Sequence, residues 1–223
     1  MTVATLCKEA ALRLTGEQPA AIFGNSEKFA SELAVACNEG AVHIAQSHDW
    51  ERLKTLHTIT GDGVTTSFTL PADFDRMPLK IRLVPSWQVG DLPRMDDISD
   101  TLDPFQPVNY SWSLAGKTIK LNMAVPNGAT VKFFYISNLI YNNKTLALAT
   151  SDGDAFDLGE GALKLELMWR WRADKRLEYS EDMANAGIAL ERLSASDGGR
   201  RVLESGRGYK IGATVAYPFR IVP

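Results

Sequence analysis

A chain of 223 residues, 45% hydrophobic and 23% charged, can bury roughly 70% of its unfolded surface and needs no metal or disulfide to hold a core. A formal charge of -3 argues against a general nucleic-acid binder, which is ordinarily basic, and favours protein partners. No apolar run approaches the ~20 residues of a membrane helix, and the first residues lack a signal-peptide layout, so the sequence predicts no membrane association and a chain made and kept in the cytoplasm.

Val3, Leu6, Cys7, Ala10 and Leu14 recur at helical spacing behind a Thr2 cap, and Gly16 with Pro19 stops the run. Asn25 or Ser26 can cap a second, longer helix whose stripe, Phe29, Leu33, Ala36, Gly40 and Ile44, is rich in small residues that let a neighbouring helix approach. Cys7 and Cys37 fall inside these helices beside alanines. They read as small buried hydrophobes, since reducing cytoplasm and their spacing oppose a disulfide or a metal site.

From Leu53 to Ile140 the period shortens to two. Thr55 to Thr60 and Thr65 to Leu70 flank Gly61-Asp62-Gly63, which predicts a hairpin. Leu79, Ile81 and Leu83 alternate with Lys80 and Arg82 as a strand with one wet face would. Gly90 to Pro107, with Asp91, Asp96, Asp97, Asp100 and Asp103, predicts an exposed acidic loop. Trp112 and Leu114, then Ile119 and Leu121, alternate on either side of Gly116, and Pro126-Asn127-Gly128 turns the chain into Val131, Phe133 and Tyr135. Asn142 to Gly153 is a polar connection.

Asp157 stands three residues before Glu160, the spacing of an N-cap and the carboxylate that reaches back to it. Leu158, Ala162, Leu165 and Trp169 then predict one apolar helix face, with Arg170, Arg172, Lys175 and Arg176 mostly near the negative end of the helix dipole. Tyr179, Met183, Ala186, Leu190 and Leu193 give a further helix that Gly198-Gly199 ends. Arg200 to Pro223 has no sustained period and reads as an arm with spaced apolar anchors. The predicted class is α+β: a four-helix bundle of N- and C-terminal helices (1–50 and 142–199), an inserted antiparallel β meander or sandwich (51–141) and an extended C-terminal arm (200–223).

The residues give little catalytic signal. His43 and His48 are about 140° apart around a helix and do not converge on a metal, and His57 is alone in a strand pattern. Asp152, Asp154 and Asp157 fail as a calcium loop because Phe156 holds the fifth position and no glutamate the twelfth, so capping is the expected role. No phosphate loop, dinucleotide fingerprint or nucleophile elbow occurs. The expectation is a protein that is not an enzyme, with no catalytic, metal-binding or cofactor-binding residues. Arg170, Arg172, Lys175 and Arg176 read either as a solvated helix end or as a patch that meets acidic residues of a neighbour or DNA. The chain from Gly161 onward carries 11 Lys and Arg against 8 Asp and Glu, so this end is mildly basic while the middle loop is acidic.

The run Trp169 to Asp182 (WRWRADKRLEYSED), closing in Ser196-Asp197-Gly198-Gly199-Arg200-Arg201, resembles the C-terminal helical part of tailed-bacteriophage head-to-tail adaptor proteins, the neck proteins that form a ring beneath the portal. Trp50-Glu51-Arg52-Leu53 and Leu70-Pro71-Ala72-Asp73-Phe74-Asp75-Arg76 are similar to that family's passage into its β-rich part. The family pattern has a glycine where this chain has Arg176. The resemblance implies a virion structural protein of the neck, assembled in the host cytoplasm, that joins capsid to tail in a ring of twelve copies. Its implied partners are the portal protein, a tail, nozzle or stopper protein below the ring, further copies of itself, and double-stranded DNA passing through without specific binding. In this reading Arg200, Arg201, Val202, Tyr209, Ile211, Tyr217 and Phe219 belong to a portal-binding arm that orders on the portal, and Arg170, Arg172, Lys175 and Arg176 to a ring or channel patch. The alternatives are a DNA-contacting packaging or accessory factor using the Trp169 to Arg176 surface, and a tail component. A hydrolase reading has only Asp96, Asp97, Asp100 and Asp103 in its favour.

Overall fold

The computed structural model describes residues 1–79, 81–94 and 111–197, and these form four helices and two antiparallel sheets, an α+β fold. Helices α1 (Val3–Thr15) and α2 (Lys28–Ser47) come first, followed by a single 3-10 turn (Glu51–Leu53). Seven strands follow, namely β1 (Lys54–Thr60), β2 (Ser67–Thr69), β3 (Phe74–Arg76), β4 (Val84–Pro85), β5 (Trp112–Ala115), β6 (Thr118–Leu121) and β7 (Thr130–Ser137). Helices α3 (Glu160–Asp174) and α4 (Ser180–Asp197) complete the described chain.

Helix α1 starts where Thr2 accepts a hydrogen bond from the Thr5 amide at 3.3 Å, and Gly16 ends it, as the spacing predicts. Helix α2 starts one or two residues later than expected. Its N-cap is Glu27, and the Asn25 carbonyl oxygen of the side chain takes the Glu27 amide at 3.0 Å just outside the helix. Leu33, Ala36, Gly40 and Ile44 are buried as predicted. A Cβ at Gly40 would lie 3.0 Å from Cβ of Glu166, so it is the missing side chain that lets α2 and α3 approach so closely. Phe29 packs edge-on against Trp171 of α3 at 5.5 Å.

Helix α3 packs against α1, α2 and α4, whereas α4 rests mainly on α3. This central position overturns the predicted stripe. Ala162, Leu163, Glu166, Leu167, Met168 and Trp171 are buried, while Leu165 and Trp169 are only half-buried, because a helix with neighbours on several sides has no single apolar face. The outermost helix, α4, buries only Ala186 fully; Leu190 and Leu193 are half-buried against the core, and Met183 stays exposed.

One sheet has the order β1-β7-β3, with β4 also pairing β7, and the other has the order β2-β6-β5. The expected hairpin of β1 and β2 does not form, since β1 pairs β7 from Lys54↔Ile136 to Thr60↔Thr130 and β2 pairs β6. The reason lies in the loop between them. The Asp62 carboxylate accepts the amides of Val64 and Thr65 at 2.8 and 2.6 Å, and Gly61 lies against the backbone of Val125 and Pro126, where a Cβ would approach to 2.5 Å. The chain is thereby steered from one sheet into the other. The expected strand over Leu79, Ile81 and Leu83 does not form: Leu83 is buried and makes an isolated bridge to Leu92, Leu79 is 94% exposed, and the two-residue β4 starts only at Val84. The β5–β6 hairpin around Gly116 and the turn at Pro126-Asn127-Gly128 stand as predicted.

The apolar side chains collect into two cores. Ile59, Leu83, Trp112, Ile119, Val131 and Phe133 belong to the core between the sheets, and Leu6, Leu33, Ile44, Trp50, Leu163 and Tyr141 to the helical core. Strand β7 contributes to both, because successive side chains point to opposite faces. Val131, Phe133 and Tyr135 enter the sheet core and Ile136 the helical one. Cys7 and Cys37 are buried and unbridged in the helical core, and burial among them pushes the Tyr141 hydroxyl far above its ordinary value.

Candidate functional site

The joint between helices and sheets is built from a few polar side chains, and the two stretches Trp50 to Leu53 and Leu70 to Arg76 supply most of them. Trp50 donates its indole N–H to the Ile44 carbonyl at 2.7 Å, in the open last turn of α2. The Arg76 guanidinium from β3 reaches the same helix end. It donates to the carbonyls of Ala45 and His48 at 3.1 and 2.6 Å and pairs with Asp49 at 3.2 Å, so a cation sits on the negative end of α2. Asp73 accepts from the Tyr135 hydroxyl at 2.9 Å and the Ser137 hydroxyl at 2.7 Å, tying β3's approach to the end of β7. Burial, helped by Asp73, pushes the Tyr135 hydroxyl up to about 12.

The return of the chain to the helices is held by the three aspartates. Asp152 accepts the amides of Ile22 and Phe23 at 3.1 and 2.8 Å. Asp154, 5% exposed, accepts the amides of Thr150 and Ser151, both at 2.8 Å, together with the Asn142 amide group at 2.8 Å and the Ser151 hydroxyl at 3.0 Å. Burial by itself would raise its pKa, but these donors outweigh it and hold the carboxyl at about 2. Asp157 does not cap α3, whose N-cap is Gly159. It accepts the amides of Asn143 and Lys144 at 2.9 and 2.8 Å and lies 3.5 Å from Arg52. The predicted caps are therefore loop clamps. They stabilise three consecutive left-handed residues, Asn142, Asn143 and Lys144, with φ of 51°, 57° and 61°. Periodicity carries no sign of such a turn, although the Asn-Asn pair followed by spaced aspartates is its composition.

Three of the four cations in the sequence-predicted patch are engaged within the chain. Arg170 pairs with the buried Glu166 at 3.0 Å and stacks on Trp169 at 4.6 Å. Glu166 also receives the Trp169 indole at 3.0 Å and faces His43 at 3.2 Å. Arg172 pairs with Asp182 of α4 at 2.7 Å, and Lys175 with Glu32 of α2 at 2.5 Å. The Lys175 bond, the nearby Trp171 indole and Lys28 together lower the Glu32 pKa against the opposing effect of burial. Arg176, exposed, makes no ion pair with another described residue and has φ of 57°, at the corner between α3 and α4. Arg200, Arg201, Val202, Tyr209, Ile211, Tyr217 and Phe219 lie outside the described residues, as do Asp96, Asp97, Asp100 and Asp103.

His48 faces Asp197 at 3.6 Å and stacks edge-on with Trp50, while His57 packs against Phe133 and burial lowers its pKa. Among the described residues no three His, Cys, Asp or Glu stand close enough to hold a metal ion, and no helix is long and apolar enough to cross a membrane. A groove of about 480 Å³ opens on the outer face of the β1–β7 sheet, lined by the apolar Leu56, Leu79, Val84 and Phe134, by the acids Asp49, Glu51 and Asp197 and by the cations Lys54, Arg82 and Lys132. No family model and no curated protein matches this chain.

Proposed function

We propose that the chain is a head-to-tail adaptor of a tailed bacteriophage, a virion structural protein that forms a ring beneath the portal, joins capsid to tail and continues the DNA channel. The observation that carries this reading is the corner at Arg176. The family pattern has glycine there, and the residue adopts the left-handed conformation that glycine serves best. The other resembling stretches support it as well, because Trp50, Arg52, Asp73 and Arg76 all make hydrogen bonds at the joint between helices and sheet.

In this reading the four helices act as one bundle from which the β part projects toward the tail, and the segment 200–223 anchors the subunit to the portal. A closed ring of twelve multiplies small subunit contacts into a stable seal. The partners are the portal protein, the neighbouring copies and a tail, nozzle or stopper protein below. DNA passes through without specific recognition. The ion pairs of Arg170, Arg172 and Lys175 within the chain give the DNA-contacting alternative little free positive charge on that helix.

The test is co-sedimentation of the purified chain with the portal protein encoded beside it. The adaptor reading expects the chain to move from a small species to the portal fraction, and to stay behind when 200–223 is deleted. A chain that remains small beside a well-formed portal contradicts it.

A further inference from the structure

We propose that the groove on the outer face of the β1–β7 sheet is the docking site of the chain's own C-terminal segment, residues 198–223, in the free subunit. The groove is an unfinished part of the fold. Lys132, Phe134 and Ile136 share one face of β7, and Ile136 is buried under the helices, but their cover stops there. Phe134 and its register partner Leu56 remain 52% and 53% exposed, with Val84 at 51% beside them. Large side chains gathered this way form an apolar patch that calls for a partner.

The described chain ends beside this groove. Asp197, the last residue of α4, lines the groove itself, and its carboxylate accepts the Glu51 amide at 2.8 Å, so the chain leaves α4 at the groove's edge. The 26 residues that follow would reach about 85 Å if extended, ample to cross the sheet face. They begin with Gly198-Gly199, which lets the chain reverse direction without steric cost. Apolar residues recur along them at Val202, Tyr209, Ile211, Tyr217 and Phe219, suited to Leu56, Val84 and Phe134. The segment holds five Lys and Arg against one Glu, and the groove offers them Asp49, Glu51 and Asp197 but also the cations Lys54, Arg82 and Lys132, so the apolar contacts and not charge select the occupant. Under the adaptor reading the same anchors serve the portal, so groove and portal would compete for them. That consequence rests on the adaptor reading; the groove contact does not.

The experiment uses the full-length chain with Phe134→benzoylphenylalanine, irradiated as an equal mixture of unlabelled and 15N-labelled protein. The expected product is a monomer in which position 134 is cross-linked to a residue of 198–223 of the same isotope. Mixed-isotope products would assign the groove to a second copy, and cross-links elsewhere or none would leave the segment without this site; either overturns the proposal. In a second measurement, Leu56→Asp in the full chain should raise amide exchange in 198–223 at least tenfold while the α3 amides keep their protection. Unchanged exchange in the segment would overturn it too. Both readouts are independent of portal binding, so the adaptor reading can fail while this one stands.

Discussion

Replacing Asp154 by Asn should destabilise the protein and flatten part of its acid sensitivity. The carboxylate takes four hydrogen bonds, two on each oxygen, and all four donors point inward at a side chain that is 5% exposed. An asparagine sets its NH2 either against the two backbone amides or against the Asn142 amide group and the Ser151 hydroxyl; the hydroxyl can turn to accept, but the Asn142 group cannot, so at least two N–H groups are left facing each other. With ~1–3 kcal/mol for each buried donor left without a partner, the cost at neutral pH is about 2–4 kcal/mol. The pH dependence follows from the carboxyl's pKa, about 2 in the folded chain against an ordinary 3.8. A depressed pKa contributes stability that is fully present above the unfolded value and is lost as pH falls through the folded one. The gap amounts to about 2 kcal/mol at pH 7, of which about 1 kcal/mol is gone at pH 3. Asparagine has no such proton to gain, so the difference between parent and variant should narrow by about 1 kcal/mol from pH 7 to pH 3. Urea unfolding at the two pH values measures both quantities. Equal midpoints for parent and variant at pH 7, or a gap that does not narrow at pH 3, would refute the assignment of Asp154 as the ionised clamp.

Arg176→Gly should raise stability by ~0.5–1 kcal/mol, since relief of the left-handed conformation exceeds the extra freedom glycine has when unfolded; a lower urea midpoint would contradict this. Arg76→Met removes the cation from the end of α2 and leaves Asp49 and two carbonyls without it, so a loss of ~2–4 kcal/mol is expected by thermal unfolding, and a change within ~0.5 kcal/mol would show that the joint does not depend on it.

The elements themselves were legible wherever local chemistry decides them. Thr2 and Gly16 bound α1, and Gly116 and Gly128 mark turns that form, because caps and turns depend on a few adjacent residues. Gly40 in the α2 stripe announced close helix packing for the same reason: the absence of a side chain is visible in one residue. What pattern could not reach was decided by partners distant in the chain. Strand β1 takes β7, with register partners 70 to 82 residues apart, over the nearby β2, and no period in Thr55 to Leu70 encodes that preference. The face of α3 was misplaced because helices on several sides bury it, and Glu166, a residue any hydropathy pattern puts in water, is buried once Arg170, Trp169 and His43 surround it. Of the site, the four patch cations were found as residues, but Glu166, Asp182 and Glu32, the partners of Arg170, Arg172 and Lys175, lie on other turns or other helices. The apolar groove was invisible for a related reason. Leu56, Val84 and Phe134 come from three strands and form a patch only when β1 and β4 both pair β7.

The adaptor reading is tested most directly by the mass of the portal complex, measured on particles formed from the intact chain and the portal protein. Twelve subunits of 24.5 kDa add about 290 kDa to a portal ring, and the account predicts a single species of that added mass, lost with residues 200–223. A portal ring whose mass does not change in the presence of excess chain would contradict it.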